Sequence, residues 1–420
     1  MLHELWYTVA YMKAKNPVIT SPEAIDEALA RGVDEVIVKD SLRAKLLSGK
    51  RLRVKLGIDP TGEHLHIGHA APLLKLRDFQ DLGHVPVLII GNATAEVGDA
   101  SDKESERPML TTAEVKKNEK KYLEQLGKII DLSGAEVHHN ADWLNKLGFR
   151  DLGRLADQFS LSDFIARDTV KRRLMSGSRV NLREVLYPLM QGYDSVAVKA
   201  DVELGGIDQR FNLLAGRALQ EQAGQEPQDV VVLRYITDGE GKKMSKTGGT
   251  TINLLDTPDD MYAKAMRIPD GAIIPYFETA TRVPLKTVQE HSARLNTGEN
   301  PKTIKSLLAQ ELVMMYHDEK AAKKAHKDFE TMFSKGEIVE EALTEIPVDP
   351  GKDLENIVHE HKLLTSKSEF RRLIEGGGVR DVSTGEKITD PKRKITIPLT
   401  LKLGKHRFIK IVIKRVPKKK

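Results

Sequence analysis

"RLRVKLGIDPTGEHLHIGHAAPLLKLRDFQDLGHVPVLIIG" (residues 51–91) carries the alternation that decides the fold. "RLRVKLGI" (51–58) is a short apolar run ended by the turn sequence "DPTG". From Ile67 to Leu82 the apolar positions 73, 74, 76, 79 and 82 recur at helical spacing until Gly83 stops them, and "VPVLIIG" (85–91) reads as a buried strand. Further on, Thr111 and Glu114 make a capping-box pattern that opens a helix through about Leu132, followed by the strand "AEVHHN" (135–140). This alternation predicts an α/β fold with a doubly wound parallel sheet. Ligands of such sheets sit beyond the carboxyl ends of the strands, which is where the histidines of "HLHIGH" (64–69) fall.

At 420 residues the chain exceeds the size at which one core keeps growing, so two or three domains are expected. Residues 1–250 read as the α/β domain with N-terminal helices. Residues 251–345, charged and poor in β-branched runs, read as a helical domain. "IPVDPGKD" (346–353), with two prolines and a glycine, reads as a linker, and 354–420 as a small α+β domain. The composition is 40% hydrophobic and 30% charged, with no apolar run long enough to span a bilayer, so no membrane association is expected. The start "MLHELWYTVAYMKAKNP" has the build of neither a secretory signal nor a transit peptide. Zero cysteines exclude disulfides and cysteine-ligated zinc and fit a reducing, cytoplasmic location.

The net charge of +5 is unevenly placed: Pro391–Lys420 holds twelve Lys or Arg and no acid, interleaved with β-type runs such as "KITIPLTLKL". A basic tail can be merely solvated. Cations set on alternating strands match a surface that follows phosphates, because neutralising phosphates releases counterions, so an RNA partner is expected.

His66 and His69, at i and i+3, share one face of a first helical turn, beside free backbone N–H groups and the positive end of the helix dipole. Gly68 between them lets a ligand approach the backbone. The arrangement suits a nucleotide, with both imidazoles donating to phosphate oxygens as charge builds up; the competing reading is a pair of capping or core histidines. Far along the chain, "DGEGKKMSKTGGTTINL" (238–254) sets Lys243, Ser245, Lys246 and Thr247 between glycines, a cationic loop able to close over phosphates. Tyr187, Gln191 and Asp194 are spaced i, i+4, i+7, a polar stripe in the otherwise apolar "VLYPLMQGYDSVAV". A pocket with hydrogen-bonding needs explains that stripe better than a solvated face does.

"HIGH" (66–69) and "KMSKT" (243–247) resemble the two signature motifs of the class I aminoacyl-tRNA synthetases. That resemblance implies a Rossmann-type catalytic domain that joins an amino acid to AMP from ATP, releases pyrophosphate and passes the aminoacyl group to a tRNA. Thr247 stands where many members have serine, keeping the hydroxyl. "REVLYPLMQGYDSVAVKADVELGGIDQRFNLLAGR" (183–217) closely resembles bacterial tyrosyl-tRNA synthetases, and the similarity runs through most of the chain. On that resemblance Tyr187 and Gln191 hold the substrate α-amino group, aided by Asp99 of "VGDAS". Gln209 approaches the carboxylate, and Asp194 accepts from the phenol. Such an aspartate is left unpaired when the hydroxyl is missing, so phenylalanine is rejected without an editing domain. Gly57, Asp59 and Thr61 of "LGIDPT", with Gly68, Asp208, Met244 and Ser245, form the ATP and adenylate set, while Asn140 and Trp143 of "NADW" match positions near the pocket.

Two departures from the family pattern stand out. Lys55 occupies the position at which some bacterial tyrosyl enzymes place a tyrosine that reaches the phenol, and it is counted with the tyrosine-binding residues. The loop "GDASDKESERP" (98–108) lacks the usual proline and second glycine but keeps Asp99. "KSEFRRLIEGGGVRDVSTGEKITDP" (367–391) resembles the S4 RNA-binding domain of the bacterial tyrosyl enzymes, with Ser366, Lys367, Ser368, Arg371 and Arg372 expected to face RNA. The implied partners are tRNA(Tyr), L-tyrosine, ATP with Mg2+ but no dedicated protein metal site, and a second copy of the chain in a homodimer. The alternatives are a tryptophanyl-tRNA synthetase and a non-catalytic, synthetase-derived RNA-binding protein.

Overall fold

The structure, a computed structural model, describes residues 17–99, 108–236, 251–334, 344–361, 363–364, 366–382, 384, 386–404 and 407–413. The chain divides into two compact units, Met1–His326 and Lys327–Lys420. In the first, β1 (Val33–Ile37), β2 (Arg53–Ile58), β3 (Val85–Ile90), β4 (Glu136–His139), β5 (Val202–Gly206) and β6 (Asp229–Leu233) form one sheet in the order β1-β6-β5-β2-β3-β4. Strands β2 to β6 pair in parallel, and β1 closes one edge antiparallel to β6. The chain lays β3 and β4 on one side of β2, then crosses back to place β5 and β6 on the other. The order therefore reverses between β2 and β5, and a crevice opens at the carboxyl ends of that pair.

The apolar runs read from the sequence are the strands themselves: every residue of β3 is buried, as are the first four of β2. Helix α1 (Ile67–Asp81) turns Leu73, Leu74, Leu76 and Phe79 inward, and Gly83, at φ +88°, ends it where a side chain would be strained. The Thr111–Glu114 capping box forms as the pattern predicts. The helix it opens does not run on to Leu132, however. It breaks into Thr112–Glu119 and Tyr122–Leu126, with Lys121 at φ −102°, ψ 2° between them. Buried Gln125 ties this break to the loop after β2, donating to Glu63 O at 3.0 Å and accepting from Leu65 N at 2.8 Å.

Residues beyond 251 contribute Pro258–Ala265, Ile273–Ala280, Leu285–Asn296 and Pro301–Tyr316, and Ile273–Ala280 packs against α1 within the first unit. Helix Glu319–Ser334 contains the division between the units. Residues 346–353, expected to be a linker, are instead structured. Thr344–Val348 is strand β7 and Lys352–Asp353 is β8. Pro347 is tolerated because β7 lies at a sheet edge, pairing among the described residues only with the strand Arg407–Ile413.

The second unit has a four-stranded sheet in the order β7-β12-β11-β9, with β9 Val379–Asp381, β11 Leu399–Leu403 and β12 Arg407–Ile413, and a two-stranded pair of β8 with β10 (Lys394–Ile395). Leu399, Leu401, Leu403, Ile409 and Ile411 point inward with Leu354, Ile357, Phe370 and Ile374 of two helices, Leu354–Glu360 and Lys367–Glu375. The alternation of β11 puts Thr400 and Lys402 on the opposite face, where the register sets Arg380 and Lys410 beside them. Among the described residues no helix is long and apolar enough to cross a membrane.

Candidate active site

Five of the expected site residues stand at or just past the carboxyl ends of parallel strands: Gly57 in the last stretch of β2 and Asp59 after it, Asn140 after β4, and Asp208 and Gln209 after β5; Asp99 follows the short helix Asn92–Val97 that comes after β3. An added Cβ at Gly57 would meet nothing within 4 Å, so the crevice floor is open there. At Gly91, directly after β3, a Cβ would fall 2.0 Å from Asp59 Oδ1 and 2.4 Å from Thr94 Oγ1. Only glycine lets the Asp59 carboxylate cross this strand end.

Asp59 anchors one network. It accepts from Thr94 Oγ1 at 2.7 Å and from the Tyr187 hydroxyl at 2.9 Å. Thr94 Oγ1 in turn accepts from Asn140 Nδ2 at 2.9 Å, and the same amide donates to Asp194 Oδ2 at 3.2 Å. Trp143 Nε1 donates to Asp194 Oδ1 at 2.8 Å. The 17-residue helix α2 (Leu182–Val198), opened by a capping box from Asn181 to Glu184, carries Tyr187, Gln191 and Asp194 on one face as the spacing predicts. Burial raises the Asp194 carboxyl to about 7, against the opposing pull of the Lys55 charge and the Trp143 and Asn140 hydrogen bonds. Burial, reinforced by Asp59, likewise pushes the Tyr187 phenol well above its ordinary value.

A second network gathers the other predicted groups. Gln209 Nε2 donates to Asp99 Oδ2 at 2.6 Å, and Asn212 Nδ2 forks between Gln209 Oε1 at 3.0 Å and Gln191 Oε1 at 3.1 Å. The Asp208 backbone N–H donates to the Tyr235 hydroxyl at 2.7 Å, while Thr61 N closes a tight turn onto Asp59 O at 2.8 Å.

His66 and His69 start α1, and here the two readings merge. His66 is the N-cap, its Nδ1 accepting from Gly68 N at 3.1 Å, and His69 Nδ1 accepts from His66 N at 3.2 Å. Accepting at Nδ1 fixes both neutral rings as the tautomer whose hydrogen is on Nε2, a donor suited to an anion. The rings lie 3.9 Å apart, and a Cβ at Gly68 would press to 2.9 Å from His66 Cε1, so the glycine makes room for this fold-over. Lys243, Met244, Ser245, Lys246 and Thr247 lie outside the described residues. The segment after them is nonetheless fixed to the first motif: Ile67 N donates to Ile252 O at 2.9 Å, and Leu254 N to Leu65 O at 3.0 Å.

Lys55 is fully buried, and its ammonium donors meet Ser195 Oγ at 2.7 Å, Gln191 O at 2.9 Å and Glu203 Oε1 at 2.9 Å. Sequence reasoning missed Thr94, Ser195, Glu203 and Asn212. For Glu203 a signal existed: a carboxylate inside the apolar strand "VELGG" needs a partner. Among the described residues no group of three or more His, Asp or Glu could hold a metal ion.

Residues 47–334 match the family model described as tRNA synthetases class I (W and Y). The chain belongs to the class I tRNA synthetases of this W and Y family. This synthetase is 42% identical over 400 residues to a protein of Symbiobacterium thermophilum named tyrosine–tRNA ligase, covering 92% of this chain and 97% of that one. It is 41% identical over 395 residues to the protein of the same name from Thermotoga maritima, covering 93% and 98%. Among solved structures, the C-terminally truncated mitochondrial tyrosyl-tRNA synthetase of Aspergillus nidulans superposes with a TM-score of 0.63 at 20% identity, covering 79% of this chain and 99% of that one. The tyrosyl-tRNA synthetase of Archaeoglobus fulgidus, solved with L-tyrosine, gives 0.58 at 20% identity over 72% and 99%. At such identities these two speak for the fold alone. In the second unit, Ser366 caps helix Lys367–Glu375, accepting from Glu369 N at 3.1 Å, and Lys367, Ser368, Arg371 and Arg372 are exposed on it. Lys367 and Arg371 also reach Asn356 and Glu355.

Proposed function

We propose that this synthetase is a tyrosine–tRNA ligase that activates L-tyrosine with ATP to tyrosyl-adenylate and pyrophosphate, then transfers tyrosine to the 3′ end of tRNA(Tyr). The observation that carries the reading is Asp194: a buried carboxylate on the polar face of α2, fixed from behind by Trp143 and Asn140, as an acceptor for a phenolic hydroxyl must be. The name shared by relatives about 40% identical over nearly the whole chain supports it. Tyr187 and Gln191 have hydrogens directed at Asp59 and Glu203, so oxygen lone pairs are what they offer a substrate. Together with acceptor-only Asp99 this suits an α-ammonium group, with Gln209 toward the carboxylate. Gly57, Asp59, Thr61, Gly68 and Asp208 line the ATP side. The Nε2 donors of His66 and His69, with the lysines and hydroxyl of "KMSKT", stabilise the charge that develops on the phosphates. Mg2+ enters as the ATP complex.

The second unit, as an S4-like module, meets tRNA through Lys367, Ser368, Arg371 and Arg372 and the basic sheet face of Arg380, Lys402 and Lys410. The active form is a homodimer, whose interface takes the apolar side chains exposed along residues 149–182: Phe149 (94% exposed), Leu161, Leu174, Met175 and Leu182. The chain works in the cytoplasm.

Amino-acid-dependent ATP–pyrophosphate exchange, run with tyrosine, phenylalanine and tryptophan, tests the reading. Exchange with tyrosine alone is expected. Exchange with tryptophan keeps the family and overturns the pocket assignment, while none with any amino acid, in a folded protein that binds tRNA, favours a non-catalytic RNA-binding role.

A further inference from the structure

Lys55 and Glu203 are register partners on the adjacent parallel strands β2 and β5, 0% and 1% exposed, in the middle of the sheet beneath α2. Charges are rare in such a place, and this pair is organised. Glu203 Oε1 accepts from Lys55 and, at 3.3 Å, from the side-chain amide of Gln191, while Oε2 accepts from Ser195 Oγ at 3.1 Å and from Gln228 Nε2. Lys55 also holds the Gln191 carbonyl and the Ser195 hydroxyl, two successive turns of α2. Helix α3 (Arg210–Gln222) closes over the group so tightly that a Cβ at Gly216 would lie 2.6 Å from Gln228 Nε2 and 2.9 Å from Ser195 Oγ.

An amide side chain is ambiguous: either end can turn toward a ligand, one as a donor and the other as an acceptor. A carboxylate only accepts. We propose that the Lys55–Glu203 pair is a positioning device that fixes the polarity of the pocket by drawing the Gln191 NH2 group down to Glu203, so that Gln191 Oε1 faces the ligand as an acceptor for its ammonium group. Lys55 pairs with Glu203 at 2.9 Å in this buried place and, by holding the Gln191 carbonyl, clamps the turn of α2 that bears Gln191. Asn212 Nδ2, donating to Gln191 Oε1 at 3.1 Å, favours the same orientation. Lys55 is thus a positioning residue rather than a direct tyrosine ligand, since its three N–H donors are directed at protein oxygens. This inference rests on the reading of the site as a tyrosine pocket.

The test compares Glu203→Gln with the exchange variant Gln191→Glu/Glu203→Gln, which keeps the net charge of the group but puts the carboxylate where it needs no orienting. The probes are tyramine, which keeps the amine and lacks the carboxylate, and 3-(4-hydroxyphenyl)propionate, which keeps the carboxylate and lacks the amine. Both are titrated by calorimetry, so binding is read without turnover. Glu203→Gln frees the amide to flip, and tyramine binding should weaken about tenfold or more while the propionate changes less than about twofold. The exchange variant should regain tyramine binding to within about threefold of the parent. Equal weakening of both probes, or no change in either, overturns the proposal. So does failure of the exchange variant to recover tyramine binding while it unfolds at the parent temperature. If Glu203→Gln does not fold, the exchange variant against the parent decides: an unchanged ratio of the two affinities supports the proposal and a loss of tyramine preference overturns it. Failure of the tyrosine-pocket reading shows separately, as absence of tyrosine-dependent exchange in the parent protein.

Discussion

Replacing Asp194 by asparagine should change how stability depends on pH. An aspartate in the unfolded chain gives up its proton near 3.8, whereas burial holds this one protonated up to about 7 in the folded protein. Between those values the folded state binds more protons than the unfolded one, so stability falls as pH rises, by about 1.4 kcal/mol per unit, and is flat above about 7. The whole displacement amounts to about 4 kcal/mol, present as a destabilisation at pH 8. Asp194→Asn removes that slope. It also turns an NH2 group toward either Trp143 Nε1 or Asn140 Nδ2, leaving one buried donor opposed at about 1–3 kcal/mol. The parent has lost about 1.6 kcal/mol by pH 5 and about 4 by pH 8, so the variant should lie within about 1.5 kcal/mol of it at pH 5 and be more stable by about 1–3 kcal/mol at pH 8. Urea unfolding followed by tryptophan fluorescence at pH 5, 6, 7 and 8 gives the difference directly. A parent-minus-variant difference that stays constant across this range would refute the argument, because Asp194 would then titrate far from neutrality. Tyrosine-dependent exchange should drop in the variant at every pH, while in the parent the KM for tyrosine should rise as pH falls below about 7 and the carboxylate is lost.

His66→Asn separates two roles of one residue: asparagine is a good N-cap, so thermal stability should move by no more than about 0.5 kcal/mol, while loss of the Nε2 donor should lower exchange by about 100-fold. A large stability loss with normal exchange would reverse the assignment. Gly91→Ala forces a methyl against Asp59 and Thr94, and should destabilise by about 1–3 kcal/mol in chemical unfolding and raise the KM for tyrosine through displaced Tyr187. Arg173→Met strips the partner from buried Glu184 and should destabilise by about 3–5 kcal/mol, with Arg173→Met/Glu184→Gln recovering most of it. Recovery no better than additive would show that the Arg173 stem, not its charge, matters. Glutamate at Met175 and Leu182 together should convert a dimer to a monomer in sedimentation without unfolding it.

What was legible in the sequence is what local pattern dictates. The runs at 53–56 and 85–90 are continuous strand stretches buried on both faces, and the i, i+4, i+7 stripe of α2 is a helix face whatever surrounds it. The break at Lys121 was invisible because its cause is tertiary: Gln125 bonds to residues of the loop after β2. Residues 346–353 looked like a linker because two prolines and a glycine signal a turn, and nothing local reveals that an edge strand can absorb Pro347. In the proposed site, a motif marks the residues assigned to the ligand. It does not mark Thr94, Ser195, Glu203 or Asn212, which hold those residues from behind and become recognisable only when the strands are side by side.

The paired charges at Lys55 and Glu203 also bear on how the sheet assembles. Strands β2 and β5 are distant in the chain, and their apolar residues would tolerate other alignments. Sliding one past the other by a single residue would turn Lys55 to the opposite face of the sheet from Glu203 and bury two uncompensated charges. The pair that organises the pocket therefore also penalises every odd shift between these two strands, so register selection and site construction draw on the same contact.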